Sequence, residues 1–204
     1  MMRKPIVLIP LENPPENYVY ALKLVGIDCD CNFSPKSLEK YSGLLLSGGG
    51  DILSSFYNHK IDCKNVNVLR DVNEFKILDY FYTNNLPILG ICRGMQMINV
   101  YLGGRLKNVA NHQSKTGDDV YHEVKSSCKI FNDLSLVNSN HRQCVDTISP
   151  FAQEVLTSND GTIEGFAFKN VLAVQFHPER MDAKTINLIY GEFANLLKKR
   201  FYLP

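Results

Sequence analysis

Residues 87–99 read PILGICRGMQMIN. A short apolar run ending at Ile91 meets a cysteine set between Gly90 and Gly94. An uninterrupted apolar run bounded by Pro and Gly is the pattern of a strand covered on both faces, as in a parallel sheet. Residues 93–102 then read as a helix closed by Gly103-Gly104. Cys92 therefore falls on a strand-to-helix turn, and in open α/β sheets ligands bind at the carboxyl ends of the strands.

The same alternation extends outward. Residues 5–9 (PIVLI) predict a buried strand and residues 17–25 a helix ending at Gly26. Leu44-Leu45-Leu46 is a second strand running into Ser47-Gly48-Gly49-Gly50-Asp51. Across residues 72–83, Phe75, Leu78, Phe81 and Tyr82 recur at three- and four-residue spacing, which predicts a helix. The second half changes character: 120–125, 129–137, 144–148 and 153–157 are short and β-like. GTIEGFAF (161–168) and VLAVQF (171–176) follow, joined by a hairpin turn at Lys169-Asn170. Residues 183–199 carry one apolar stripe and read as a surface helix. Its last turn, Lys198-Lys199-Arg200, reads as a solvated basic end, favourable against the helix dipole. The expected fold is α/β: a mostly parallel central sheet flanked by helices, with antiparallel additions in the C-terminal half. A single domain over 1–204 is expected.

Composition narrows the function classes. The 204 residues are 45% hydrophobic and 21% charged, with a net charge of +1, so nothing draws the chain to nucleic acid or to an anionic membrane. No apolar run has bilayer-spanning length. The apolar run after MMRK is about five residues long and stops at Pro10, too short for a signal peptide. The six cysteines contain no zinc-type C-x-x-C pair and read as reduced thiols of a cytoplasmic protein. Cys29-Asp30-Cys31 reads as a short strand with buried thiols rather than as a redox pair.

The chemistry is read from three segments. A helix amino end offers unpaired N–H groups and a partial positive charge, both favouring thiolate at Cys92. Taken alone, G-x-C-x-G fits a nucleophile and an inert turn cysteine equally well. In VLAVQFHPER, Pro178 stops a buried strand, and His177 and Glu179, two residues apart in extended chain, are expected on one side. A carboxylate beside an imidazole fixes its tautomer and stabilises its charged form. That pair, with the earlier cysteine, favours catalysis. The glycines after Leu46 let backbone N–H groups approach a ligand closely, and with the N–H of Arg93 they would bind an oxyanion. A phosphate loop is disfavoured, because no G-K-[ST] follows and Asp51 repels phosphate. His112 and His122-Glu123 match no metal-ligand spacing and read as solvated loop residues, so no metal site is expected.

Together the segments LLLSGGGDI, RDVNEF, PILGICRGMQMINVYLGGRL, VNSNHRQ, DGTIEGF and VQFHPE, collinear from about residue 44 to 179, resemble the class I glutamine amidotransferase superfamily. Within it they resemble the γ-glutamyl hydrolases of the peptidase C26 group, which implies a flavodoxin-like sheet. The resemblance implies Cys92 as nucleophile, His177 as base and acid, and Glu179 as orienter. It implies Gly48, Gly49 and Arg93 as backbone oxyanion donors. Gln96, Asn140, His141, Arg142 and Gln143 would hold the glutamyl amino and carboxylate groups, with no cofactor. The implied reaction is hydrolysis of a small γ-glutamyl amide through a γ-glutamyl thioester. Substrate candidates are γ-glutamyl-CDP-amidate, from capsule modification, and γ-glutamyl-γ-aminobutyrate, from polyamine breakdown. The basic stretch after Gly104, with Arg105 and Lys107, would meet an anionic leaving group if it flanks the pocket. A glutaminase subunit feeding ammonia to a synthase and an inactive binding module are the alternatives; Arg93 and the intact triad positions favour the hydrolase. Oligomeric state stays open, a homodimer being one option.

Overall fold

The computed structural model describes residues 4–202, with side chains as far as Lys199. The MMR start and the Arg200 side chain of the basic last turn lie outside the described residues. Eleven strands and four helices are described: β1 (Ile6–Ile9), α1 (Glu16–Leu24), β2 (Asp28–Cys31), β3 (Gly43–Leu46), α2 (Val68–Thr83), β4 (Ile88–Ile91), α3 (Arg93–Tyr101), β5 (Arg105–Asn108), β6 (Val120–Ser126), β7 (Leu136–Ser139), β8 (Gln143–Thr147), β9 (Gln153–Ser158), β10 (Ile163–Phe168), β11 (Val171–Val174) and α4 (Ala183–Tyr202).

Nine strands form one sheet in the order β2-β1-β3-β4-β11-β10-β9-β6-β7. The first five are mutually parallel, and β10, β9, β6 and β7 continue the sheet in antiparallel pairs. This is the expected mixed sheet. β3, β4 and β11 are buried at every residue, because helices cover both faces, and that explains their unbroken apolar sequences. One core contains Ile9, Leu45, Leu89, Ile91 and Val174 packed with α1 and α4; the other contains Leu44, Leu46, Ile88 and Ala173 packed with α2 and α3.

Three expectations are corrected. Residues 129–137 do not form a strand: Lys129–Phe131 is a short 3-10 turn, and pairing begins only at Leu136. Phe131 and Leu134 are buried there as turn anchors rather than in strand alternation. Arg105–Asn108, the basic stretch assigned to no strand from sequence, is β5, paired antiparallel with β8 in a separate two-stranded ribbon. Only Leu106 of its four residues is buried, so β5 has little apolar signature. The thiols of Cys29 and Cys31 lie in β2 as expected but are half-buried, since β2 is the sheet edge.

Candidate active site

β3, β4 and β11 are neighbours in the sheet, with Leu46 opposite Gly90 and Ile91 opposite Val174. The segments that follow them, Ser47-Gly48-Gly49, Cys92 and His177, therefore emerge side by side at one rim. Cys92 has φ 52° and ψ −106°, a backbone region that an L-residue occupies only when its surroundings enforce it. Its N–H is held by the Val174 carbonyl at 2.8 Å. Gly94 is required by packing: a Cβ there would come within 2.0 Å of the Leu46 carbonyl oxygen. The elbow thus rests directly on β3.

His177 is buried, and its Nδ1 lies 2.7 Å from Glu179 Oε1. A carboxylate only accepts, so Nδ1 carries the proton and Nε2 is left for the sulfur. Burial disfavours the imidazolium. The charge of Cys92, a hydrogen bond to it, and then Glu179 more than offset this, and His177 is raised to about 9. The cause of the His177–Glu179 approach differs from the expected one. Residues Pro178–Arg180 are a 3-10 turn, not extended chain, and the turn folds the carboxylate back to the ring.

Other residues surround this centre that sequence reasoning missed. Tyr18 of α1 reaches across, its hydroxyl accepting from Gly48 N–H at 3.0 Å and lying 3.5 Å from His177 Nδ1. Asn138 of β7 clamps the His177 backbone: its Oδ1 accepts from His177 N–H at 2.9 Å, and its Nδ2 donates to His177 C=O at 3.1 Å. Beneath the glycine loop, the buried Arg93 guanidinium pairs with Asp71 and Glu74 of α2. Arg70 bonds Glu74 at 2.6 Å and donates to the Ser47 and Gly48 carbonyls. The RDVNEF segment is thus a buried ionic strut between α2, the elbow and the glycine loop. A lone Tyr in an amphipathic helix carries no local signal of its role, but the charged residues on a helix's buried face do.

The cleft over Cys92 has a volume of about 120 Å³ and is lined by Gly49, Lys64, Gln96, Asn140, Arg142 and Gln143 among others. Gly49 faces it. The N–H of Gly48 is already taken by the Tyr18 hydroxyl. Gln96 donates to the Gln143 carbonyl at 2.8 Å, and Arg142 is tied to Asp51 at 2.9 Å and to the Asp62 carbonyl. Asn140 donates to the Gly117 carbonyl at 2.7 Å. These residues wall the cleft while their polar groups are engaged by other protein groups. Arg105 and Lys107 are exposed on β5 and are not among the residues lining the cleft; the cations at the cleft are Lys64 and Arg142. The solvated-loop reading of His112 and His122 is overturned as well. His112 is buried, His122 is half-buried, and their rings pack 4.6 Å apart.

The model of the peptidase C26 family matches residues 24–179. The chain belongs to the peptidase C26 family. A γ-glutamyl-CDP-amidate hydrolase of Campylobacter jejuni is 30% identical over 189 residues, covering 87% of this chain and 86% of that protein. A Schizosaccharomyces pombe relative is 36% identical over 155 residues, 67% of this chain. The match spans less than two thirds of that relative's length, 61%, and 65% of one from Lactococcus lactis. Among solved structures, a glutamine amidotransferase of Thermotoga maritima superposes with a TM-score of 0.63 at 20% identity, covering all of this chain and 88% of that one. This peptidase C26 chain thus has a glutamine amidotransferase-like fold. Among its described residues no helix is long and apolar enough to cross a membrane.

Proposed function

We propose that the chain is a cysteine-dependent hydrolase of γ-glutamyl amides, releasing L-glutamate and an amine. The carrying observation is the Cys92–His177–Glu179 constellation at the adjoining ends of β4 and β11. In this reading the Cys92 thiolate attacks the γ-carbonyl carbon, and the N–H groups of Gly49 and Arg93 receive the oxyanion. His177 gives its proton to the departing nitrogen as the C–N bond breaks, leaving a γ-glutamyl thioester. Water then adds, His177 takes one of its protons, and C–S cleavage frees glutamate and the thiolate.

The cleft volume of about 120 Å³ is small beside the roughly 300–1,000 Å³ of sites that enclose drug-sized ligands. It encloses a glutamyl-sized group and leaves the amine at the mouth. Lys64, exposed at that mouth, favours an anionic amine. The Campylobacter relative's name supports a nucleotide phosphoramidate over γ-aminobutyrate.

The test is a panel of γ-glutamyl amides differing only in the amine, scored by glutamate release. Wild type should turn over at least one member, and Cys92→Ser should release no glutamate from it. Glutamine hydrolysis that appears only with an added synthase would replace this reading by the glutaminase-subunit one.

A further inference from the structure

Three histidines converge on one buried carboxylate. Glu164 of β10 is fully buried, and neither of its oxygens has a hydrogen-bond partner. His112 Nδ1 lies 3.6 Å from Glu164 Oε1, His141 Nε2 3.7 Å, and His122 Nε2 3.1 Å.

The protons can be assigned from what each ring touches elsewhere. His141 Nδ1 lies 3.0 Å from the Gln143 carbonyl. A carbonyl only accepts, so the proton is on Nδ1, and the neutral ring turns a bare lone pair at Nε2 toward Glu164. His112 Nε2 lies 2.8 Å from Asp160 Oδ2, so His112 likewise carries its proton on the far side. Ser139 cannot donate to its Nδ1, because the one hydroxyl proton is committed to the His112 carbonyl at 2.7 Å. The lone pairs of His112 and His141 therefore face the Glu164 carboxyl group, all three ligand atoms within 4.8 Å of one another.

We propose that His112, His141 and Glu164 bind one zinc-class divalent cation, with His122 at the same carboxylate as a fourth ligand or a donor to it. Tetrahedral zinc with N and O ligands at about 2.0–2.2 Å separates its ligand atoms by roughly 3.3 Å. The two imidazole-to-carboxylate separations are within half an ångström of that. Imidazole with carboxylate is the donor set of zinc and its neighbours rather than of calcium or magnesium. The outer contacts fit too: a metal-bound histidine usually donates its other N–H to a carboxylate or a backbone carbonyl, as His112 does to Asp160 and His141 to Gln143. The role is structural. The Gln143 carbonyl that fixes His141 also accepts from Gln96 in the cleft wall, so the cation would pin that wall from behind. His141 also lines the cleft over Cys92, but the metal reading does not rest on γ-glutamyl hydrolysis.

The test uses untagged full-length protein, stripped with chelator and titrated with Zn2+ and with Co2+. Expected are one tightly held equivalent per chain, a rise in Tm on adding Zn2+, and an intense visible Co2+ band of a four-coordinate site. Cys92→Ser, which removes the thiolate as a competing ligand, should keep the full equivalent, whereas His112→Gln should lose it. Absence of uptake and of a Tm shift in folded wild type overturns the proposal, as does binding that vanishes in Cys92→Ser. Ring 15N shifts showing His112 Nδ1 or His141 Nε2 protonated with Zn2+ present would overturn it by another route, since a proton would then occupy a ligand position. If His112→Gln does not fold, the wild-type and Cys92→Ser titrations still decide.

Discussion

Cys92 and His177 are placed by opposite means: the cysteine by a backbone forced to φ 52°, the histidine by a carboxylate 2.7 Å from its ring. Both were legible as residue types, Cys between glycines and His-Pro-Glu after a strand. Tyr18 was not, because its contact with Gly48 bridges thirty positions of sequence. The His177 shift has a measurable consequence. A histidine raised in the folded state adds stability that is fully present below its unfolded value near 6.5 and is lost as pH climbs through about 9. Titration of the His177 ring by NMR should show that upper midpoint. Glu179→Gln, which removes one contribution raising it, should move the midpoint down; a midpoint unchanged by the substitution contradicts the assignment. Lys64 supplies a second test. With a phosphate-bearing leaving group, Lys64→Glu should raise KM several-fold while leaving a neutral amine unaffected. Charge reversal at Arg105 and Lys107, which stand off the cleft, should change neither.

At the level of elements, α2 shows why periodicity found a helix but misplaced its start. The apolar stripe from Phe75 predicts helix from residue 72, yet the helix begins at Val68, where Asn67 accepts from Arg70 N–H at 3.0 Å. A polar cap sets the boundary, and the first turn is occupied by the charged residues of the strut. Asn67→Ala should cost about 1 kcal/mol. The strut itself is another matter. Asp71, Glu74 and the Arg93 side chain are at most 3% exposed, and removing one partner from a buried ion pair costs roughly 3–5 kcal/mol by leaving the other charge uncompensated. For a domain of 150–250 residues each kcal/mol lowers Tm by about 2–4 °C. Glu74→Gln should therefore lose on the order of 6–20 °C in calorimetry, and Asn67→Ala only a few. A Glu74→Gln protein as stable as wild type would mean that Arg93 is satisfied without the strut.

Across the whole molecule, the parallel half was readable because burial on both faces writes itself as unbroken apolar runs in β1, β3, β4 and β11. The antiparallel half was readable only in part. β5 shows one buried residue, and the turn around Phe131 buries apolar groups without any strand period. Nor could sequence show that His112, His141 and Glu164 meet, since they come from a loop, the turn before β8, and β10. The distant edge of the sheet nevertheless reaches the candidate centre. β7 is the last strand in the order, yet its Asn138 holds both the N–H and the C=O of His177. An amide that pairs with both backbone groups fixes the peptide's position without touching the ring, so Asn138 acts as a positioning residue. Asn138→Ala would leave two buried backbone groups unpaired, each costing about 1–3 kcal/mol. It would also free the His177 turn to shift, and a misplacement of about 1 Å can lower turnover on the order of 10²-fold. The expected outcome is a fall in kcat with KM little changed, because the glutamyl cleft is walled by other residues. Asn138→Asp, which keeps the acceptor for His177 N–H but loses the donor to its carbonyl, should recover only part of the rate. Equal losses in kcat and in substrate affinity would instead place Asn138 in the cleft wall, and full activity in Asn138→Ala would show that the His-Pro-Glu turn holds itself.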